Sequence, residues 1–195
     1  MINQITLVLI AYFIGSLSFG IIISHLFKLS DPRTIGSMNP GATNVMRAGN
    51  KFAALLTLLG DMLKATLVIF IANHMGVSET DLVIISIVVL LGHIFPIYYK
   101  FKGGKGVATA LGILLGIHWL LAVTVFFVWV CVFTIWRYSS LAAIVATLSA
   151  PFISYFLEFS SEVLWLNIII ATLVIYRHEA NIRNLINGTE SGFRR

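Results

Sequence analysis

The sequence predicts an all-α, polytopic integral membrane protein of seven transmembrane helices, one pair short or re-entrant, with the N-terminus outside and the C-terminus cytoplasmic. Three observations carry that prediction. First, 58% of the 195 residues are hydrophobic and only 11% charged, at a mean hydropathy of +0.95, far from the usage of water-soluble domains. Second, apolar runs near the length that crosses about 30 Å of hydrocarbon recur along the whole chain. They leave no stretch for a separate globular unit, so residues 1–195 read as a single membrane-embedded domain. Third, Lys and Arg cluster beside the runs, as expected of short cytoplasmic loops. The net charge of +5 therefore speaks to topology, and nucleic acid is excluded as a partner.

The first run, Ile5 to Phe27, is too long for a signal h-region, lacks a positive n-region and is followed by Lys28 and Arg33. It reads as a retained anchor. Further runs span Phe52 to Asn73, Leu82 to Tyr99, Val107 to Trp136, Leu141 to Leu157 and Val163 to Tyr176. The run from 107 to 136 is too long for one crossing and short for two, and charge decides between them. If it crosses twice, turning near His118 and Trp119, then 12 of the 13 basic residues lie inside: Lys28, Arg33, Arg47, Lys51, Lys100, Lys102, Lys105, Arg137, Arg177, Arg183, Arg194 and Arg195. Glu79, Asp81, Glu158 and Glu162 then lie outside. A single crossing would export the basic tail, so the double crossing is preferred. A re-entrant first half, buried against protein, satisfies the same parity. The single cysteine, Cys131, lies within an apolar run and reads as a core side chain.

This topology collects the unusual polar sequence on the cytoplasmic side in three segments. The first runs Gly36-Ser37-Met38-Asn39-Pro40-Gly41-Ala42-Thr43-Asn44 to Arg47. Its short polar side chains suit an irregular hydrogen-bonding loop, and Arg47 suits a two-pronged grip on phosphate. The second runs from Gly92-His93 to Phe101-Lys102-Gly103-Gly104-Lys105-Gly106, with Thr109 shortly after. Glycine-rich backbone, two lysines and a helix start near Val107 read as an anion site. It is no Walker A loop, since G-x-x-x-x-G-K-[ST] is absent. The third places Arg177, His178 and Asn181 together, with Gly188 and Glu190 beyond; His178 and Asn181 share a face if helical. Ser140 joins the substrate-binding set. No metal-ligand cluster is apparent, and neither metal nor cofactor is expected.

Taken together, G-S-x-N-x-G-A-T-N-x-x-R, G-H-x-x-P with F-K-G-G-K-G-V-A-T, and R-H-x-x-N-I followed by G-x-E resemble the signature of the acyl phosphate:glycerol-3-phosphate acyltransferases, the PlsY family. The resemblance covers nearly the whole chain. It implies a seven-helix fold in the bacterial inner membrane, with the active site on the cytoplasmic face. It also implies transfer of a fatty acyl group from acyl phosphate to glycerol 3-phosphate, giving lysophosphatidic acid and phosphate. Functional coupling to the enzyme that makes acyl phosphate is a further expectation. Ser37, Arg47, Lys105, His178 and Asn181 are the expected catalytic residues. Asn39, Thr43, Asn44, His93, Lys102, Gly103, Gly104, Gly106, Thr109, Ser140, Arg177 and Glu190 are expected to bind substrate. One departure stands out: where the family reads G-S-G-N, this chain has Met38. Either that position does not need glycine's left-handed conformations or the loop is altered here.

The chemistry suits these residues. Acyl phosphate carries a good leaving group, so an enzyme needs mainly to bind two phosphates, orient a hydroxyl and stabilise an oxyanion. Either His178 or the substrate's own phosphate takes the hydroxyl proton. Asp61 and Lys64, deep in the second run, read as an ion pair or as a substrate-facing pair. Gly15, Ser16, Gly20, Gly112 and Gly116 allow close helix approach. Two other readings remain: an anion or lipid-phosphate transporter, and a noncatalytic scaffold. A transporter would place its site near the midplane between repeats, and no repeat is visible. A scaffold leaves the glycine-lysine loop unexplained.

Overall fold

The structure, a computed structural model, describes residues 4–193; Arg194 and Arg195, counted above among the inward charges, lie outside the described residues. Among the described residues there are ten α-helices and no strand. They are α1 Gln4–Gly15, α2 Phe19–Leu26, α3 Ala42–Arg47, α4 Lys51–His74, α5 Glu79–Ile94, α6 Val107–Ile117, α7 Trp119–Trp136, α8 Ser139–Phe156, α9 Ser161–Arg177 and α10 Glu179–Ile186, with a 3-10 turn at Ile97–Tyr99. Packing divides the chain into two units, Met1–Ile117 and His118–Arg195.

Helix α4, the stretch Glu79–Tyr99, α7 and α8 are each long and apolar enough to cross a membrane. The pairs α1 with α2 and α9 with α10 pass the same test together, bent by 44° and 63°. The long run from 107 to 136 is indeed two helices. They part at His118, whose backbone is extended and whose Nδ1 accepts a hydrogen bond from the Leu120 amide at 3.3 Å. At 1.5 Å per residue α6 is about 16 Å long, roughly half the hydrocarbon thickness. It is the short member that the sequence anticipated.

Helix α4 shows which solvent the fold expects. Its buried positions are Ala53, Ala54, Thr57, Asp61, Lys64, Ala65, Val68, Ile69 and Ala72, a stripe at helical spacing that carries every charge in the helix interior. The opposite face exposes Leu55, Leu58, Leu63, Leu67 and Phe70. A helix that hides its ions and shows leucine and phenylalanine is packed for lipid, where an unpaired charge is costly.

In the first unit α4 is the centre, with α6, α3, α2, α5 and α1 packed on it. Small residues set the spacing. A Cβ at Gly112 would run into the Met62 carbonyl of α4, and one at Gly15 into the Val89 carbonyl of α5. Thr66 then donates to the Gly112 carbonyl at 2.9 Å, and Thr109 to the Asp61 carbonyl at 3.1 Å. Close backbone approach and interhelical hydrogen bonds replace the hydrophobic drive that lipid removes.

The break between α1 and α2 explains the ion pair. Breaking a helix strands carbonyls at one new end and amides at the other, and hydrocarbon cannot satisfy them. Lys64 Nζ donates to the Leu17 carbonyl at 2.6 Å, and the Phe19 amide donates to Asp61 Oδ1 at 3.4 Å. The ammonium thus meets the carbonyl end of α1 and the carboxylate the amide end of α2, the favourable sense for both helix dipoles. The two side chains pair at 2.8 Å and are 2–3% exposed.

In the second unit α8 packs between α7 and α9, and α10 touches α8 and α9. Asn167 donates to Ser154 Oγ at 2.7 Å, a buried polar link between α9 and α8. The chain after α10 folds back along the α7–α8 junction. There the Phe193 amide donates to the Arg137 carbonyl at 3.0 Å and the Phe193 ring meets Phe133 edge-on.

Candidate active site

The first polar segment is a loop that ends in α3, and Asn44 organises it. Buried at 1% exposure, Asn44 accepts from the Ser37 amide at 3.2 Å and donates to the carbonyls of Pro32 at 2.5 Å and Ile35 at 2.9 Å. One side chain replaces three backbone partners, so Asn44 shapes the loop rather than presenting itself. Ser37 and Arg47 are exposed, and Asn39 and Thr43 partly so. Nearby, Arg33 grips Asp31 with two nitrogens at 2.6–3.1 Å, and that hydrogen-bonded guanidinium holds the Asp31 carboxyl below its usual range. Arg33 also lies 5.7 Å from the Tyr99 ring centroid. The turn just before the first polar segment therefore meets the second at Tyr99.

Met38 resolves the question its identity raised. Its φ is +55°, so the position does require the left-handed region that glycine visits freely. The side chain is 71% exposed and has no packing to offset a strain of about 1–2 kcal/mol. Met38→Gly should therefore raise the stability of the detergent-solubilised protein by about 0.5–1 kcal/mol, after allowance for glycine's greater freedom when unfolded. A lower thermal midpoint in that variant would contradict this account.

The second segment corrects two expectations about why its residues are there. Gly103, Gly104 and Gly106 are buried, and among them only Gly106 has a positive φ, +90°. A Cβ at Gly104 would overlap His93 Nε2, and one at Gly103 would overlap the His93 carbonyl. The Gly104 amide is not presented to an anion but donates to the His93 carbonyl at 3.1 Å. Gly103 and Gly104 thus serve close packing of the loop on the end of α5, because only hydrogen fits there. Thr109 is also placed otherwise than expected: it is fully buried and its hydroxyl is engaged by Asp61, which ties α6 to α4. Lys102 is exposed and Lys105 half-buried on the loop, and α6 begins at Val107 as predicted.

Beneath the loop lies a network that the sequence did not reveal. Lys64 Nζ, already bonded to Leu17 and Asp61, is 3.0 Å from His93 Nδ1. His93 is 6% exposed and lies against Gly103 and Gly104 of the loop. Charge at depth marked Asp61 and Lys64 as unusual, but no spacing rule links them to a histidine 29 positions away.

In the second unit His178 ends α9 and precedes α10. Its ring is 3% exposed, with Nδ1 2.7 Å from the Val174 carbonyl. A carbonyl only accepts, so Nδ1 carries the hydrogen and Nε2 of the neutral ring carries the lone pair. Asn181 Nδ2 donates to Glu190 Oε1 at 2.8 Å and Ser140 Oγ donates to the same oxygen at 2.6 Å. The folded-back tail thereby joins three expected residues that lie up to 50 positions apart; Arg177 is half-buried beside them. Among the described residues, no three His, Cys, Asp or Glu side chains gather where a metal could be held.

Residues 5–188 match the family model described as glycerol-3-phosphate acyltransferase, across both units. The chain belongs to the glycerol-3-phosphate acyltransferase family. Among the family's members, the glycerol-3-phosphate acyltransferase of Methylobacillus flagellatus is 47% identical over 191 residues, covering 98% of this chain and 97% of its own. That of a Janthinobacterium species is 46% identical, covering 97% and 96%. Crystal structures of PlsY (YgiH), an integral membrane glycerol 3-phosphate acyltransferase, are equally close in fold. The glycerol 3-phosphate form has a TM-score of 0.94 at 41% identity, covering 98% of this chain and 96% of that one. The lysophosphatidic acid form has a TM-score of 0.92 at 39% identity, covering 98% and 95%. At such likeness this acyltransferase is an integral membrane protein.

Proposed function

We propose that the chain transfers a fatty acyl group from acyl phosphate to glycerol 3-phosphate, giving lysophosphatidic acid and inorganic phosphate, as a single membrane-embedded domain. The observation that carries this reading is the near-complete likeness to a structure solved with glycerol 3-phosphate and one solved with lysophosphatidic acid. Those are an acceptor and its acylated product. The donor is inferred from chemistry: a phosphate leaving group suits the cationic loop with Lys102 and Lys105. In the step proposed, the acceptor hydroxyl oxygen bonds to the acyl carbonyl carbon, the carbonyl becomes a tetrahedral oxyanion, and its collapse breaks the bond to phosphate. The hydroxyl proton goes to a substrate phosphate, whose second pKa is near 6. His178 Nε2 accepts from the acceptor's second hydroxyl, which orients it and leaves the attacking hydroxyl's hydrogen for the phosphate; Asn181, Ser37, Ser140 and Glu190 serve the acceptor. Arg47 and Lys105 balance phosphate charge, and Asn39, Thr43 and Arg177 complete the polar lining.

Purified protein given acyl phosphate and glycerol 3-phosphate should release phosphate and form lysophosphatidic acid, and should do neither with acyl-CoA or acyl carrier protein as donor. Phosphate or glycerol 3-phosphate transport by vesicles without acylation would instead favour a transporter. Gly104→Ala should raise the Michaelis constant for acyl phosphate roughly tenfold or more and leave that for glycerol 3-phosphate unchanged, since it displaces the donor loop by pushing on His93. Equal effects on both substrates would show that the loop is not donor-specific.

The proposed seven-segment topology places this chemistry on the cytoplasmic face of the bacterial inner membrane, where coupling to the enzyme that supplies acyl phosphate would occur. Cysteines placed at Glu79 and Glu158 should react with an impermeant reagent in whole cells, whereas those at Arg137 and Asn184 should not. Labelling of position 137 from outside would reject the double crossing.

A further inference from the structure

The Asp61, Lys64 and His93 network has a chemical consequence beyond joining helices. An ammonium carries three hydrogens, and Lys64 Nζ has three acceptors around it: the Leu17 carbonyl at 2.6 Å, Asp61 Oδ1 at 2.8 Å and His93 Nδ1 at 3.0 Å. His93 Nδ1 lies farther from Asp61 Oδ1, at 3.5 Å, than from Lys64 Nζ, at 3.0 Å. The close contact is therefore from lysine to imidazole, with Nδ1 as acceptor. The ring is then neutral and its one hydrogen sits on Nε2. Nε2 is also the ring atom nearest the space above Gly104, so the hydrogen points at the glycine loop from below. His178 has the opposite arrangement, with its hydrogen on Nδ1.

We propose that Asp61 and Lys64 are positioning residues for the donor-phosphate loop: Asp61 orients Lys64, and Lys64 holds His93 as the tautomer that donates from Nε2 into the loop at Gly104. This inference rests on the reading of that loop as the acyl-phosphate site. A buried ion pair that only spliced α1 to α2 would be indifferent to the His93 tautomer. A device that shapes the loop is not.

Two measurements test it on the full chain in detergent or lipid. The first is nitrogen-15 NMR of histidine-labelled protein, with the His93 signals identified by their loss in His93→Phe. Nδ1 should be unprotonated and Nε2 protonated in the unmodified protein, and that preference should disappear in Asp61→Leu/Lys64→Met, which removes the pair without leaving a lone buried charge. A hydrogen on Nδ1, or a doubly protonated ring at neutral pH, overturns the proposal. The second is a kinetic cycle. Asp61→Leu/Lys64→Met should raise the acyl phosphate Michaelis constant roughly tenfold or more and spare that for glycerol 3-phosphate. The same double change in a His93→Phe background should add nothing further. Losses that multiply would mean that the pair acts by some route other than His93, and would reject the positioning role. The NMR measurement needs no turnover, so a wrong donor assignment and a wrong tautomer fail separately.

Discussion

Lys64→Met is expected to destabilise the folded protein by about 3–5 kcal/mol, the largest stability effect of any single substitution considered for this chain. The change strands three acceptors together. Asp61 keeps its charge with no cation beside it, the Leu17 carbonyl loses its donor at the break between α1 and α2, and His93 Nδ1 loses its own. None of these groups can turn to water, since Asp61 is 2% exposed and the surrounding helix faces are apolar. The loss is read as a fall in thermal midpoint and in yield of monodisperse protein. Most of it should return in Asp61→Leu/Lys64→Met, because replacing both ions by apolar side chains removes the uncompensated charge. What stays lost then measures the helix-end contacts together with the contact to His93. If the single variant were as stable as the double, the lysine charge would contribute nothing to folding.

The second large effect is on rate. His178 Nδ1 meets the Val174 carbonyl, so in the neutral ring the lone pair falls on Nε2, and in the proposed function that nitrogen accepts from a hydroxyl of the acceptor. Accepting a hydrogen bond and removing a proton are separable roles. The side-chain oxygen of glutamine can occupy the place of Nε2 and accept, but it cannot take the proton. His178→Gln should therefore keep measurable turnover, reduced roughly ten- to a hundredfold, if the substrate phosphate is the base. Loss of a positioned general base would remove 10²–10⁴-fold, about as much as His178→Ala. We expect glutamine to retain clearly more activity than alanine, assayed as phosphate release under saturating substrates. Equal inactivity of both variants would make histidine the base. Full activity in both would leave His178 with neither role.

How far the site was legible in sequence depended on the kind of residue. Arg47, Lys102 and Lys105 could be named because glycines and short polar residues surround them, and the structure leaves Arg47 and Lys102 exposed and Lys105 half-buried. His178, Asn181, Ser140 and Glu190 were named, and Glu190 does receive hydrogen bonds from Ser140 and Asn181. What escaped was the direction each group faces. Gly103 and Gly104 looked like a flexible anion cradle, yet they are glycines because His93 leaves no room for a Cβ. Thr109 and Asn44 looked like hydroxyl and amide donors, yet both are buried and serve backbone carbonyls. Composition and spacing report which polar groups exist, and only packing decides whether they point out or in.

The sequence by itself determined the solvent and the helical class, because hydropathy acts residue by residue and needs no partner. The split of residues 107–136 into two helices followed from the placement of Lys and Arg. Tertiary structure decided the purpose of the one ion pair buried in α4. Nothing near Asp61 or Lys64 in sequence announces a broken helix at 16–18 or an imidazole at 93, and the energy of a buried charge depends on whatever lies within a few ångströms of it. The same holds for Met38: its residue type was plain from the beginning, but a φ of +55° is imposed by the loop that Asn44 ties down around it.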